Sequence, residues 1–296
     1  MSDSGAWDVL VRQWRASAED PASVLLDGFH ALKHALRFGG DVRHVVTDDK
    51  AAALALAAEL AEDVHDALDA SAVQVPTRVM RSLVPKPHPT GVAALAVRPD
   101  AGATTARLRR TPRRSPVVLL ENPRNLGNIG AVVRLAAGFG ATGVVTTGSL
   151  DPWHPNAVRG SAGLHFAGAV QRLTLEELPP GPVYALDPEG TDIRSLVLPD
   201  DAVLAFGSER QGISPQLRER ATALVAVPMQ PRVSSFNLAT SVAMGLFHWM
   251  SHSPSTGPVG QTGLSGRPEQ VGQPERAGRP VPDDLSGLGG LTDLPA

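Results

Sequence analysis

Cysteine is absent from the whole 296-residue chain, which removes disulfides, thiolate metal sites and a cysteine nucleophile together. Long apolar runs are lacking as well. Asp3, Asp8, Arg12, Arg15 and Glu19 interrupt residues 1–19, so no signal-peptide core is expected there. No later stretch offers the ~20 apolar residues of a bilayer span, and the expectation is a cytoplasmic protein with no membrane partner. A large charge imbalance is missing too. The formal net charge of −3 argues against holding nucleic acid by bulk positive charge, although local distribution matters more than the total. Finally, no G-x-G-x-x-G follows a first strand with an acidic residue ~20 positions on, which argues against a nucleotide-cofactor oxidoreductase.

What is present separates into four regions. Residues 1–99 alternate helical and strand-like patterns: Phe29, Leu32, Ala35 and Leu36 keep helical spacing, Val42–Val46 and Gly91–Val97 read as strands, and Ala51–Leu68 reads as one alanine-rich helix. Residues 100–115 lack apolar periodicity and carry Arg107, Arg109, Arg110, Arg113 and Arg114, so a basic linker is expected, either simply solvated or an anion grip. From 116 to 252, apolar runs at Val117–Leu120, Val144–Thr147, Val183–Leu186, Val203–Phe206 and Leu224–Val227 alternate with helical segments at Ile129–Gly138, Asn156–Gly163, Pro215–Arg220 and Ser235–Met250. Near-continuous apolar strands with helices between them indicate an α/β domain built on a covered parallel sheet. Residues 253–296 are roughly a third Gly and Pro, the composition of a disordered tail.

Ligands of parallel α/β sheets gather at the carboxyl ends of the strands, and three loops there carry chemistry. The first is Glu121-Asn122-Pro123-Arg124-Asn125-Leu126-Gly127-Asn128-Ile129-Gly130, with Arg134 further along the helix. Asn128 is a suitable N-cap, and Gly127 and Gly130 permit close backbone approach. The second is Phe206-Gly207-Ser208-Glu209-Arg210-Gln211-Gly212-Ile213, in which two glycines bracket a carboxylate. The third runs from Val227-Pro228-Met229 to Ser235-Phe236-Asn237. Ser235 is placed to cap the last helix, and Asn237, in its expected first turn, faces either water or a specific partner. His30 and His34 share i, i+4 spacing, but no third ligand stands at a diagnostic distance, so no metal is expected. Trp7, Trp14, Trp153 and Trp249 read as packing residues.

In this order, the three strings resemble the three motifs of the SpoU (TrmH) family in the SPOUT class of RNA methyltransferases. The resemblance covers roughly 116–250. It implies a parallel sheet whose C-terminal part threads into a deep trefoil knot, S-adenosyl-L-methionine as cofactor, and methyl transfer to a ribose 2′-hydroxyl of structured RNA, rRNA ahead of tRNA. It also implies a homodimer formed through the catalytic domain, with the apolar helix Leu238–Met250 as the expected surface. The implied cofactor positions are Gly207, Val227 and Phe236, with Phe206 and Met229 beside them. Arg134 would be the catalytic residue, with Asn128, Glu209, Ser235 and Asn237 orienting it and the ribose. Phe236 stands where leucine is more usual, Ala239 where a small hydroxyl residue is frequent, and Arg210 where glycine is frequent. Leu26–Leu36 and His88–Val92 are similar to a ribosomal-protein-like RNA-binding domain, which would supply Lys33, Arg37 and Arg43 to RNA, with Arg124 at the catalytic loop. The alternative is a non-catalytic RNA-binding protein that keeps the knotted fold.

Overall fold

A computed structural model describes residues 3–84 and 86–252. The front region runs α1 (Asp3–Ala18), β1 (Ser23–Asp27), α2 (Phe29–Arg37), β2 (Asp41–Thr47), α3 (Lys50–Leu60), α4 (His65–Ser71), β3 (Ala72–Gln74), α5 (Thr77–Leu83), β4 (Val92–Val97) and α6 (Ala101–Arg109). Its sheet has the order β1-β4-β2-β3, with β4 antiparallel to both neighbours and β2 parallel to β3. The alanine-rich stretch is two helices, because a 3-10 turn at Glu62–Val64 separates α3 from α4. Trp14, Trp153 and Trp249 are buried, in keeping with packing roles.

The expected linker is only partly irregular. Asp100 caps α6 by accepting from the Ala103 amide at 2.7 Å, and Leu108 is fully buried against the second sheet. One well-placed leucine anchors a helix too short to show an apolar period. Of the basic run only Arg113 turns inward, and Arg107, Arg109, Arg110 and Arg114 are exposed. Arg113 is buried and donates to the carbonyls of Leu108 and Asp201, while Arg109 donates to the Glu177 carbonyl at 2.9 Å.

The second region continues with β5 (Val117–Leu120), α7 (Leu126–Gly138), β6 (Gly143–Thr146), α8 (Pro155–Gly160), β7 (Ala169–Arg172), β8 (Val183–Asp192), β9 (Val203–Phe206), α9 (Pro215–Arg220), β10 (Ala223–Ala226) and α10 (Leu238–His252). Its six strands are all parallel, in the order β10-β8-β9-β5-β6-β7. Side chains alternate across a strand, and both faces are covered. Val118, Leu120, Leu204 and Phe206 pack toward Ile129, Val133, Val242 and Leu246, whereas Val117, Leu119, Val203 and Ala205 pack toward Leu108 and Leu217. This double burial is why the strands read as continuous apolar runs.

Where β8 pairs with β10, the register jumps from Ala185 to Thr191. Pro188 has no amide to give the ladder, and the residues around it leave it. The tail expected beyond residue 252 lies outside the described residues. Among the described residues, no helix is long and apolar enough to cross a membrane.

Candidate active site

At the carboxyl ends of β8, β9 and β10 the sheet opens into a cavity of about 720 Å³. Phe206, Gly207, Val227, Met229 and Phe236 all line it, together with Glu209, Ser235 and Asn237. Two separated loops of the sequence, 206–212 and 227–237, therefore meet at one place. Gly207 is required there: a β-carbon on it would run into the backbone of Gly212 and Ile213. The loop is a tight closure in which Ser208 and Gly212 exchange backbone hydrogen bonds of 3.0 Å, with Gly212 at φ 66°.

The first loop joins this wall through side chains. Asn128 Nδ2 donates to Glu209 Oε1 at 2.8 Å, and the Arg124 amide donates to Glu209 Oε2 at 3.0 Å. Asn237 Nδ2 donates to Asn128 Oδ1 at 3.3 Å, and Asn237 Oδ1 accepts from the Ala239 amide at 2.9 Å. A carboxylate only accepts and a backbone N–H only donates, so the two ends of this chain fix the orientation of both amides. Partial burial pushes Glu209 up, but the bonds from Asn128 and the Arg124 amide prevail and hold it below the usual carboxylate range. It is ionised and already committed, which suits positioning rather than proton abstraction.

The expected caps are corrected. Asn125, not Asn128, caps α7, its side chain accepting from the amides of Gly127 (2.8 Å) and Asn128 (3.2 Å). Two asparagines three residues apart are equally suited locally, and only the bond to Glu209 distinguishes them. Likewise α10 begins at Leu238, so Asn237 precedes the helix and bonds its second amide, in place of Ser235.

Arg134 lies outside the cavity wall. Six residues at about 100° each set it roughly 120° round α7 from Asn128, and none of Asn128, Glu209, Ser235 or Asn237 bonds to it. Its side chain makes no ion pair or hydrogen bond among the described residues. Its charge is felt on α2 instead. Partial burial, then the charges of Lys33, His88 and Arg134, hold His30 low, and burial followed by Arg37 lowers Lys33, with Arg134 adding to it. Of the expected RNA contacts, Lys33 and the Arg124 side chain make no ion pair among the described residues, whereas Arg37 is paired with Asp63 and Arg43 with Asp41.

Sequence reasoning missed one part of the site and gave a second, Glu121, no role. Asp187 and Pro188 line the cavity from the interrupted part of β8, with Asp187 paired to Arg218. Their signal was available, since they follow the run Val183–Leu186 at a strand's carboxyl end. Glu121 is buried and accepts from the Ser214 amide at 2.7 Å, tying the end of β5 to the cap of α9.

Residues 115–247 match the model of the SpoU rRNA Methylase family. Over that segment, which holds all three motif loops, the chain is similar to the SpoU family of RNA methyltransferases. An uncharacterized tRNA/rRNA methyltransferase of Synechocystis is 28% identical over 253 residues, covering 78% of this chain and 86% of that protein. A 23S rRNA (adenosine(1067)-2′-O)-methyltransferase of Streptomyces azureus is 31% identical over 145 residues, 45% of this chain and 54% of that relative. Among solved structures, an AdoMet-bound rRNA methyltransferase from Sinorhizobium meliloti superposes with a TM-score of 0.66 at 23% identity, covering 82% of this chain and 94% of that one. At that identity the likeness concerns the fold.

Proposed function

We propose that this SpoU-like protein transfers the methyl group of S-adenosylmethionine to a ribose 2′-hydroxyl of structured RNA, rRNA ahead of tRNA. The observation that carries this reading is the convergence of loops 206–212 and 227–237 on one cavity, latched to the first loop by the Glu209–Asn128–Asn237 chain. The cavity has the size and mixed lining of a cofactor site, for which ~300–1,000 Å³ is usual. Phe206, Val227, Met229 and Phe236 supply apolar surface, and Gly207 permits the tight closure of the loop that walls the cavity. The loop 227–237, running from β10 at the sheet edge back to α10 against α7, supports the reading that this crossing is a deep trefoil knot.

When bound, S-adenosylmethionine supplies a sulfonium methyl, whose carbon–sulfur bond breaks as the ribose 2′-oxygen bonds to the carbon. The 2′-oxygen loses its proton to solvent in the same event. Arg134, which has no anionic partner among the described residues, is available to grip the adjoining phosphate in a bidentate fork and to stabilise the oxygen as negative charge develops. Glu209, Asn128 and Asn237 hold the loops, and Ser235 orients the ribose. Lys33 and Arg124 contact the RNA backbone, and the front sheet serves as the RNA-gripping domain.

Incubating the protein with tritium-labelled S-adenosylmethionine and total RNA tests the proposal, and the label should appear as ribose 2′-O-methylation. RNA binding without label transfer would support the non-catalytic alternative. Comparing 2′-O-methyl maps of RNA from cells with and without the protein would then assign rRNA or tRNA.

A further inference from the structure

The front region was expected as a separate domain on a basic tether, yet all the described residues fall in one compact unit. The seam between the two sheets is built in three layers. Apolar contact comes first: Phe29, Leu32 and Ala35 of α2 belong to the same buried cluster as Val158 and Phe166 of the catalytic side. Backbones then meet closely. Gly163, at φ 77°, lies against the backbone of Ala31, where a β-carbon has no room, and Gly40 lies against the ring of Phe166. The third layer is a polar clasp. Asp27, 7% exposed at the end of β1, pairs with Arg159 of α8 and accepts from the His88 amide at 2.9 Å, while Arg159 also donates to the Lys86 carbonyl at 3.2 Å. His34 Nδ1–H donates to the Ala162 carbonyl at 2.7 Å, and Arg98 pairs with Asp151 at 2.7 Å.

Domains that swivel on linkers share small, polar contacts. This seam is apolar within and closed by an ion pair between the nearly buried Asp27 and the half-exposed Arg159, and the carboxylate loses its charge partner if the guanidinium is removed. A 3-10 turn at Leu164–Phe166 packs against both α2 and α7 and links the two helices, and the charge of Arg134 reaches His30 and Lys33.

We infer that Asp27 and Arg159 are positioning residues that lock the front sheet onto the catalytic sheet of the same chain, so that α2 grips RNA at one fixed separation from Arg134. The locking stands on the seam alone; its consequence for RNA rests on the proposed function. Both residues lie outside the cavity, and their contribution is to the fraction of molecules that present Lys33 and Arg134 together.

The test compares full-length wild type, Arg159→Ala and Arg159→Lys by small-angle X-ray scattering, donor binding and methyl transfer to total RNA from cells lacking the protein. If Arg159→Ala leaves about one molecule in ten docked, the half-saturating RNA concentration rises about tenfold, while maximal rate and donor affinity stay within about twofold. Its maximum dimension should also increase, and Arg159→Lys, which keeps the charge opposite Asp27, should restore most of both effects. Unchanged dimensions with unchanged half-saturation, or a fall in maximal rate alone, would overturn the inference. Should Arg159→Ala lack a cooperative thermal transition, Asp27→Asn, which keeps an acceptor for His88, is measured in its place against the same outcomes. If wild type methylates no RNA, the proposed function fails and scattering alone decides the docking: a profile matching the docked arrangement upholds it, and an extended one refutes it.

Discussion

Acid should loosen this protein through His165, a fully buried side chain between α8 and β7. Its Nε2–H donates to the Pro152 carbonyl at 2.8 Å, its Nδ1 faces the Ser161 hydroxyl at 2.7 Å, and its ring lies 4.9 Å from that of Trp153. Burial is the dominant influence and pushes the imidazole down to about 4, against a smaller upward pull from Pro152. The folded protein thus resists a proton that the unfolded chain accepts near pH 6.5. Stability is intact above that value, is lost as pH falls from about 6.5 to about 4, and declines no further on this account below 4. A gap of about 2.5 pH units at ~1.4 kcal/mol each amounts to ~3 kcal/mol, of which ~2 kcal/mol has gone by pH 5. That is a substantial share of the ~5–15 kcal/mol typical of a folded domain. Because Phe166, the next residue, packs on Gly40, the front seam should loosen with it. Urea unfolding followed by tryptophan fluorescence at pH 7.5 and 5.0 measures the loss. His165→Gln is neutral throughout, so wild type should lose ~2 kcal/mol more than the variant between the two pH values. Parallel losses would show that the ring takes up its proton in the folded state without penalty and would refute the reasoning.

Arg134→Ala should lower methyl transfer by at least ~10²-fold, the scale for removing one charge-stabilising donor, while donor binding measured by calorimetry stays near wild type; near-normal turnover would remove Arg134 from the chemistry. Gly207→Ala should weaken donor binding about tenfold or more, as its methyl must displace the backbone of Gly212 and Ile213, and unchanged affinity would place the donor elsewhere. Phe247, 60% exposed, lies on α10, the helix expected to form a dimer surface; if it does, light scattering at micromolar concentration should give twice the chain mass, and Phe247→Asp should halve it. A monomeric wild type would contradict that surface.

The strands Val117–Leu120 and Val203–Phe206 were legible residue for residue, because four consecutive apolar residues bounded by turn-forming ones have few other ways to be buried on both faces. The strand β7, with Gln171 and Arg172 in its four residues at the sheet edge, left no such trace. The alanines of 51–68 showed a helix but not its break, since a 3-10 turn changes no side-chain period. Helix α6 was missed because a single leucine, Leu108, docks it.

The sequence by itself determined the parallel α/β class and the order of the three motif loops, which are written in local runs, turn residues and their spacing along the chain. The resemblance implied Gly207, Val227 and Phe236 as cofactor positions, and all three line the cavity. Only the tertiary structure decided which of those residues meet. Asn128 touches Glu209 across 81 positions and Asn237 across 109, contacts set by the strand order β10-β8-β9-β5-β6-β7. The same holds for Arg134, whose charge is felt on α2, and for the Asp27–Arg159 clasp. A contact between distant residues depends on how the strands and helices pack together, and no local pattern of side chains encodes that packing.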